Sequence, residues 1–355
     1  MLDRGTMKNR STVFHRNNFD TLRISAAVAV LVSHAFPIAH GSGADQPLSG
    51  FSRGQTELGS ISVLIFFVIS GYLITQSFDR APVVSRFLKA RALRIFPALF
   101  VVLLLSVAVL GPAVTTLPLR EYFGHPGTAW YLPNNLSLFS MQYTLPGVFE
   151  DAPAPKVVNG SLWTLQYEFT MYLVVLALGV AGLLNRVVVL ALWLVVLLLD
   201  LRWMGGAYVR FASPFLAGAT LYLWRDRVPL DGRLALLGLA AVVASMQVGG
   251  FRIAFAVFGA YLTLYVALSP SVRLPDLARR GDLSYGIYIF AWPVQQLASD
   301  LLGPATTWYW NIAISLPVVL GLAWASWHLV EKPALALKRV PFPSARRPAL
   351  ERPPV

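Results

Sequence analysis

The feature that most constrains this chain is an apolar segment, residues 19–39, that contains an arginine and a histidine beyond its first turn. The segment is long enough to cross a bilayer, which takes about 20 residues, yet it includes Arg23 and His34. These two residues are eleven positions apart. On a helix they therefore lie within about 20° of the same face and about 16 Å apart along the axis. They share one stripe of the helix without touching.

Ionisable residues inside a span are costly and usually face a bundle interior or a water-filled cavity, which marks Arg23 and His34 as candidate functional residues. Each has a structural alternative. Arg23 is close enough to the start of the segment to extend its guanidinium to the lipid headgroups, and His34 could form a hydrogen bond between helices. Since His34 lies too deep to reach the headgroups easily, we favour the functional interpretation.

Composition identifies the class of protein. Hydrophobic residues make up 56% of the chain and charged residues 13%, whereas soluble domains carry roughly 25% charged residues. With several apolar runs of span length, this predicts an all-α fold, a polytopic transmembrane bundle. The absence of cysteine excludes disulfides, thiolate metal sites and a cysteine nucleophile. In a membrane protein, the net charge of +12 indicates positive-inside topology and attraction to anionic lipids or an anionic substrate, rather than nucleic acid.

The apolar runs predict about ten spans, and the basic residues predict their orientation. With the N-terminus in the cytoplasm, 22 of the 29 Lys and Arg residues lie on the cytoplasmic side, so both termini are predicted to be cytoplasmic. We expect a cytoplasmic N-terminal segment (1–18), a membrane domain (19–338) and a disordered basic cytoplasmic tail (339–355). The predicted spans are 19–39, 58–77, 95–116, 162–183, 187–202, 207–224, 233–249, 252–270, 284–302 and 308–330.

A basic stretch precedes the third predicted span. Residues 85–98 have the pattern of an amphipathic helix that enters this span. Arg91 and Arg94 are three positions apart and share one face of it. Clustered cations in a chain with few charges suit a phosphorylated substrate from the cytosol. The alternative is plain positive-inside anchoring of the span.

A carboxylate lies one to two turns inside the fourth predicted span. Glu168 follows Trp163 and Tyr167 in the stretch 160–172, and a carboxylate at this depth needs a partner. His34 also falls in the outer half of the predicted bundle. We therefore hypothesise that Glu168 orients the His34 imidazole.

Two further stretches carry polar residues inside predicted spans. Ser70, Gly71 and Tyr72 lie in the middle of the second span, where a glycine most often permits close helix packing. Tyr288 precedes Pro293 in the ninth span, and a proline kink can expose backbone carbonyls to a cavity. Too few ligands can be placed together to form a metal site, so no metal is predicted.

Six stretches together resemble the membrane acyltransferase-3 family, and they follow that family's order from residue 19 to about residue 338. Each stretch alone is a weak signal, whereas the ordered set is specific. The stretches are FDTLRISAAVAVLVSHAF, IFFVISGYLIT, RFLKARALRIFPAL, SLWTLQYEF, LSYGIYIFAWPVQQ and HLVEKP.

The resemblance implies functional residues by position. The family's Arg-(ten residues)-His signature falls on Arg23 and His34, and its Arg-x-x-Arg pair falls on Arg91 and Arg94. Its Ser-Gly-Tyr motif falls on Ser70 to Tyr72, and its Trp…Glu motif falls on Trp163 and Glu168. The chain departs from the family at Ala291, where many members have the histidine of a Tyr-x-x-His-x-Pro segment. If that histidine shares in catalysis elsewhere, His34 carries more of the reaction here.

The resemblance implies that the protein is an O-acyltransferase of a bacterial inner membrane. Such enzymes usually move an acetyl group from cytoplasmic acetyl-CoA to a hydroxyl of a sugar in an exported or lipid-linked glycan. For such an enzyme we expect Arg91 and Arg94 to hold the CoA phosphates at the cytoplasmic mouth and Arg23 to guide the pantetheine arm or the thioester. We expect His34 to be a general base or a covalent acyl relay, and Glu168 to orient His34 or bind the acceptor.

The remaining candidates are assigned to acceptor binding, and they are Ser70, Tyr72, Trp163, Tyr167 and Tyr288. We expect a cavity lined by spans one, two, four and nine. A glycolipid flippase or transporter is the alternative from another class, since intramembrane Arg, His and Glu also suit one. The absence of paired broken helices in corresponding halves disfavours that alternative.

Overall fold

The protein is a bundle of helices. The computed structural model describes residues 17–43, 45–154, 156–203, 205–303 and 306–339, and these residues form helices and loops without a strand. The helices are α1 Phe19–His40, α2 Leu58–Arg80, α3 Val84–Val114, α4 Leu119–Gly124, α5 Pro126–Leu136, α6 Gly160–Val180, α7 Arg186–Trp203, α8 Ala207–Leu223, α9 Gly232–Val248, α10 Phe251–Leu268, α11 Ser284–Leu302 and α12 Trp308–Ala336.

Each of the ten predicted spans coincides with one long helix. Six of these helices (α1, α2, α3, α6, α10 and α12) are long and apolar enough to cross a membrane by length and composition. The prediction of an all-helical membrane protein is therefore confirmed. The predicted N-terminal segment and basic tail lie almost entirely outside the described residues.

The third helix includes the basic stretch. It starts at Val84, so the predicted amphipathic helix of residues 85–98 and the predicted third span form one continuous helix. Pro97 lies inside this helix and does not end it. Arg91 and Arg94 therefore stand on the same rigid helix as the apolar residues that follow them.

Two of the other long helices, α7 and α11, carry buried polar residues that have partners inside the protein. In α7, Asp200 is buried and forms an ion pair with Arg252 of α10. In α11, Gln295 is fully buried and donates to the Leu31 carbonyl of α1 at 2.9 Å and to Asn311 of α12 at 2.9 Å. A charged or amide group with a protein partner does not need water, so neither helix requires an aqueous surface at these residues.

Helices α2 and α8 cross at very short range, and two glycines allow it. A Cβ atom on Gly71 would lie 1.9 Å from the Phe215 carbonyl oxygen, and one on Gly218 would lie 2.1 Å from the Val68 carbonyl oxygen. Small residues permit this kind of backbone approach in membrane bundles. Gly71 of the Ser-Gly-Tyr stretch is therefore a packing residue, which was the structural alternative.

The proline in α11 frees a backbone carbonyl, and a loop side chain occupies it. Pro293 has no N–H group, so the Ile289 carbonyl four residues earlier loses its helical donor. Asn159 Nδ2 donates to that carbonyl at 2.9 Å, while its Oδ1 accepts from the Ser161 N–H at 3.1 Å. One buried side chain thus fixes the start of α6 against α11.

The outer faces of the bundle are apolar. Leu198 of α7, Leu236 of α9 and Leu301 of α11 are 63%, 68% and 77% exposed. Large exposed apolar surfaces are unusual on soluble monomers, whereas lipid tails solvate them at no cost. The polar residues instead gather inside the bundle, where they define a cavity.

We expect Gly71→Ala to destabilise the protein, because the added methyl group collides with the backbone of α8. Overpacking of this kind costs about 1–3 kcal/mol. Gly321→Ala is the matched control, since Gly321 lies within α12 with no atom near the position of its Cβ. The midpoint temperature of thermal unfolding in detergent should be lower for Gly71→Ala and unchanged or higher for Gly321→Ala. Equal midpoints for the two variants would contradict the packing role of Gly71.

Candidate active site

A cavity of about 330 Å³ lies within the bundle. Its walls come from α1, α2, α3, α6, α11 and α12, so it includes the four predicted spans and two more. The lining residues are Arg23, Val63, Phe66, Phe67, Ile69, Ser70, Leu73, Ile74, Arg91, Arg94, Ile95, Thr164, Leu165, Glu168, Tyr172, Asp282, Ser284, Tyr285, Tyr288, Trp327, Leu335 and Lys338.

The basal end of this cavity, defined as the end of the bundle at which α1 begins, contains an ion-pair network. Asp282 Oδ2 lies 2.8 Å from Arg94 Nη2 and 3.2 Å from Arg23 Nη2. Arg23 also pairs with Asp20 on its own helix. One carboxylate therefore joins α1, α3 and the start of α11.

The environment of Asp282 keeps it ionised. Burial alone would raise the pKa of this carboxyl, but the Arg94 and Arg23 guanidinium groups oppose it, and Ser284 donates two hydrogen bonds to Oδ1. The net effect holds the pKa of Asp282 well below its usual range. Sequence reasoning missed this residue, although an acidic residue just before a span in a basic loop was a usable signal.

A π turn in α12 brings a second carboxylate to the network. The turn covers Trp327–Glu331, and such turns often occur at functional sites. Glu331 is buried, accepts from Ser326 Oγ at 2.9 Å, and lies 3.6 Å from Arg94 Nη1. Arg94 is thus held by two carboxylates that come from distant parts of the sequence.

Arg91 has a different environment from Arg94, although the two share one face of α3. Its guanidinium lies over the rings of Phe87 and Tyr172, 5.8 and 5.7 Å from their centroids. Its buried Nε has no hydrogen-bond partner, and no described carboxylate forms an ion pair with it. Arg91 therefore presents a positive charge to the cavity that is available to a ligand.

Glu168 lies in the middle of the cavity and is bonded to its wall. Its Oε1 accepts from Ser70 Oγ at 3.0 Å and from the Tyr172 hydroxyl. Neither bond involves His34. The structure therefore shows no hydrogen bond between Glu168 and His34 in the described residues, and the pairing of the two stays a hypothesis, with Glu168 bonded to α2 and its own helix.

A hydrogen bond between two side chains lies in the wall of the cavity, away from the ion-pair network, at what we call the distal end. The Thr164 and Tyr288 hydroxyls are 2.6 Å apart. Phe66 packs edge-on against the Tyr288 ring with centroids 5.9 Å apart. These three side chains line the cavity and form what we call the constriction.

His34 lies beyond the constriction. Its ring contacts Trp292 edge-on, with centroids 4.8 Å apart, and Trp292 follows Tyr288 by one turn of α11, about 6 Å along the axis. The imidazole thus lies about one helical turn from Tyr288. It is partly exposed, and its buried Nδ1 has no hydrogen-bond partner among the described residues.

Two of the predicted acceptor residues lie in an aromatic cluster beside α8. Trp163 and Tyr167 are in edge-on contact at 5.8 Å, and both pack against Phe211. Tyr208, which is half exposed, contacts Tyr167 at 4.7 Å. The cluster flanks the start of α6 but does not line the cavity.

The structure separates the predicted residues into two groups. Tyr72 packs between Phe19 and Tyr222 in the core, outside the cavity. His34, Tyr72, Trp163 and Tyr167 do not line the cavity. The predicted residues that do line it are Arg23, Arg91, Arg94, Ser70, Glu168 and Tyr288. Within the described ranges, no group of three or more acidic or histidine side chains is placed to hold a metal ion.

This geometry defines a class of membrane protein with a cationic internal cavity and an imidazole beyond its far end. Comparison with known proteins identifies the family, since the acyltransferase domain of family 3 matches residues 16–328. The chain therefore belongs to the acyltransferase-3 family. The predictions of this family and of acyltransferase activity are both confirmed.

Two curated relatives match along nearly their whole length. The O-acetyl transferase of Shigella phage Sf6 is 32% identical over 90% of this chain and 96% of its own. Nodulation protein 10 of Rhizobium leguminosarum bv. viciae is 31% identical over 93% of this chain and 96% of its own. No solved structure matches the chain significantly.

We expect Asp282→Asn to lower stability strongly, because it leaves Arg23 and Arg94 without the carboxylate that they share. Breaking a buried ion pair on one side costs about 3–5 kcal/mol. Asp20→Asn is the control, since the Asp20 side chain is 49% exposed and an exposed pair contributes about 1 kcal/mol or less. Thermal unfolding in detergent compares the two variants, and an equal loss in both would argue against a central role for Asp282.

Proposed function

We propose that this protein transfers an acetyl group from cytosolic acetyl-CoA to a sugar hydroxyl of an exported or lipid-linked glycan. The observation that carries the proposal is the arrangement along α1. Arg23 lines the cationic end of the cavity, and His34 lies beyond the other end on the same stripe. An anionic donor can enter at one end while a neutral acceptor approaches from the other.

The proposed topology has ten spans in the bacterial inner membrane, with both termini in the cytoplasm. The four long helices beyond the six that are long and apolar enough to cross a membrane coincide with predicted spans. The polar groups described in α7 and α11 have partners inside the bundle. The basal end carries Arg23, Arg91, and Arg94. Positive-inside topology then assigns it to the cytosol.

The donor would lie along the cavity. Its phosphates would meet Arg91 and Arg94 at the basal end, since guanidinium groups bind phosphate through paired hydrogen bonds. The pantetheine arm would extend past Arg23 toward the constriction. Glu168 lies on this path, and we assign it to accepting a hydrogen bond from an amide N–H of the arm rather than to orienting His34.

The thioester would then meet His34 at the constriction, and two routes are compatible with the residues. In direct transfer, an imidazole nitrogen takes the proton of the acceptor hydroxyl while the hydroxyl oxygen attacks the thioester carbonyl. In the relay, the imidazole nitrogen attacks first and forms an acetyl-imidazole, which the acceptor hydroxyl then attacks. In both routes the C–S bond breaks, and the CoA thiolate leaves and takes up a proton.

Both routes require the Thr164–Tyr288 hydrogen bond to open or shift. In this proposal the two hydroxyls lie between the cavity and His34, so their contact would have to part before the thioester reaches the imidazole. Tyr288 thereby acts at the junction of donor and acceptor rather than only on the acceptor.

The acceptor would approach along the aromatic cluster. Trp163, Tyr167 and the half-exposed Tyr208 present ring surfaces near the start of α6, and apolar ring faces suit the C–H faces of a sugar. The phage relative is named an O-acetyl transferase, and this name supports a hydroxyl group as the acceptor. A flippase would need a path for the whole sugar, and the contact between the side chains of the constriction does not favour such a path. The acyltransferase family also does not favour a flippase.

The central experiment is acetyl transfer in membranes that contain the protein. Labelled acetyl-CoA and the host glycans are supplied, and label on the glycan is measured. We expect His34→Ala to reduce transfer by at least about 100-fold, the usual contribution of a general base. His40→Ala is the matched control, because His40 is exposed at the end of the same helix and should leave the rate unchanged.

Each result has a defined meaning when protein levels are equal. Wild-type transfer that is lost only in His34→Ala supports the proposal. Equal transfer in His34→Ala and wild type would move catalysis to another residue. Translocation of a lipid-linked sugar without any need for acetyl-CoA would instead support the flippase.

We further expect the two ends of the site to separate kinetically. Arg91→Gln should raise the KM for acetyl-CoA about tenfold, because it removes a charge-assisted phosphate contact, with little effect on the acceptor. Tyr167→Ala should raise the KM for the acceptor and leave the donor KM unchanged. Steady-state kinetics with each substrate varied in turn checks this, and a donor effect of Tyr167→Ala would refute the two-ended arrangement.

A further inference from the structure

The cations that line the cavity differ in whether a carboxylate already balances them. Arg23 and Arg94 share Asp282, and Arg23 has Asp20 as a further partner. Two other cations in the lining, Arg91 and Lys338, form no ion pair with any described carboxylate. The cavity thus holds two positive charges that its own acidic groups leave unbalanced.

Lys338 belongs to the same site as Arg91, although the two are far apart in the sequence. It lies in the short turn Leu337–Arg339 that directly follows α12, and this turn packs against α3. Its side chain lines the cavity together with Arg91 and Arg94. In the sequence it is one basic residue among many near the C-terminus, so positive-inside anchoring explained it without a specific role.

The surroundings of Lys338 are unfavourable for its charge when no ligand is bound. Partial burial lowers the pKa of its ammonium to about 8, and the positive charges of Arg91 and Arg94 add to the effect. The neighbouring lining residues of α12, Trp327 and Leu335, carry no charge. An anion placed among these cations would relieve their mutual repulsion.

A diphosphate fits this description because it brings two negative charges to two unbalanced positive charges. Arg91 offers a planar guanidinium, and Lys338 offers a compact ammonium on a flexible chain, the form in which lysine commonly binds phosphate. An acidic protein segment is a poorer match, because Arg91 lies within the cavity, although Lys338 is exposed where it lines the cavity.

We propose that Lys338 binds a phosphate of the acyl-CoA donor together with Arg91, whereas Arg94 and Arg23 are held in place by Asp282. This inference rests on the proposed function and adds a residue that the motifs did not include. It also divides the arginines by role, with Arg91 as a direct ligand and Arg94 chiefly as part of the wall.

The test compares donors with and without phosphates. Acetyl transfer is measured for wild type and Lys338→Met, with acetyl-CoA and with acetyl-pantetheine, which lacks the phosphates. We expect Lys338→Met to raise the KM for acetyl-CoA about tenfold and to leave transfer from acetyl-pantetheine unchanged. Lys332→Met is the control, because it removes the same charge from an exposed residue six positions earlier that does not line the cavity.

The outcomes distinguish this inference from the proposed function. If wild type transfers acetyl from acetyl-CoA and neither Lys338→Met nor Lys332→Met changes the KM, the role of Lys338 is overturned and the proposed function still stands. An equal loss with both donors would also overturn it, since phosphate would not be involved. Wild type that uses neither donor would refute the proposed function itself.

The pH dependence supplies a second readout that a structural role would not produce. Below pH 8 the Lys338 ammonium is protonated and can bind phosphate, and above pH 8 the unliganded site loses that charge. The KM for acetyl-CoA should therefore rise above pH 8 in wild type. Lys338→Arg should remove this rise, since arginine stays charged, and a rise that persists in Lys338→Arg would contradict the assignment.

Discussion

The structure depends on placing guanidinium groups close together inside a membrane protein. Such charges repel one another and lose hydration, so the arrangement is stable only where carboxylates enter the same space. Asp282 does this for Arg23 and Arg94, with Glu331 on the far side of Arg94. Because these residues come from four parts of the chain, the network also fixes how α1, α3, α11 and α12 meet. The shape of the cavity follows from this balance of charge.

The first helix gives the site its length. Arg23 and His34 are fixed about 16 Å apart along one rigid axis, which separates the charged end from the end where chemistry is proposed. Between them the wall is mainly apolar, with Glu168 held by Ser70 and Tyr172. This spacing allows a long thin donor to be bound by its phosphates far from the reacting carbonyl, so that charge recognition and catalysis do not compete for the same residues.

Sequence reasoning was successful where a single segment contained the whole signal. The ten helices follow from apolar length, and the family follows from ordered motifs. It failed where the partner came from elsewhere in the chain. Nothing local to Glu168 indicates that Ser70 rather than His34 is its neighbour, and Asp282 becomes informative only when α1 and α3 are packed beside it. Pro293 does free a backbone carbonyl, but the freed Ile289 carbonyl accepts a hydrogen bond from Asn159 instead of facing the cavity.

That attachment of Asn159 has a wider effect on the segment that precedes α6. The same segment is joined to α11 at two further residues, because Trp292 donates to the Val157 carbonyl and Gln296 donates to the carbonyls of Ala154 and Val157. Because three side chains link Ala154, Val157 and Asn159 to one helix, these residues form a fixed rim and not a lid. Under the proposed function, an acceptor that approaches His34 beside this rim would be accommodated by the neighbouring loop surfaces and not by an opening of the rim.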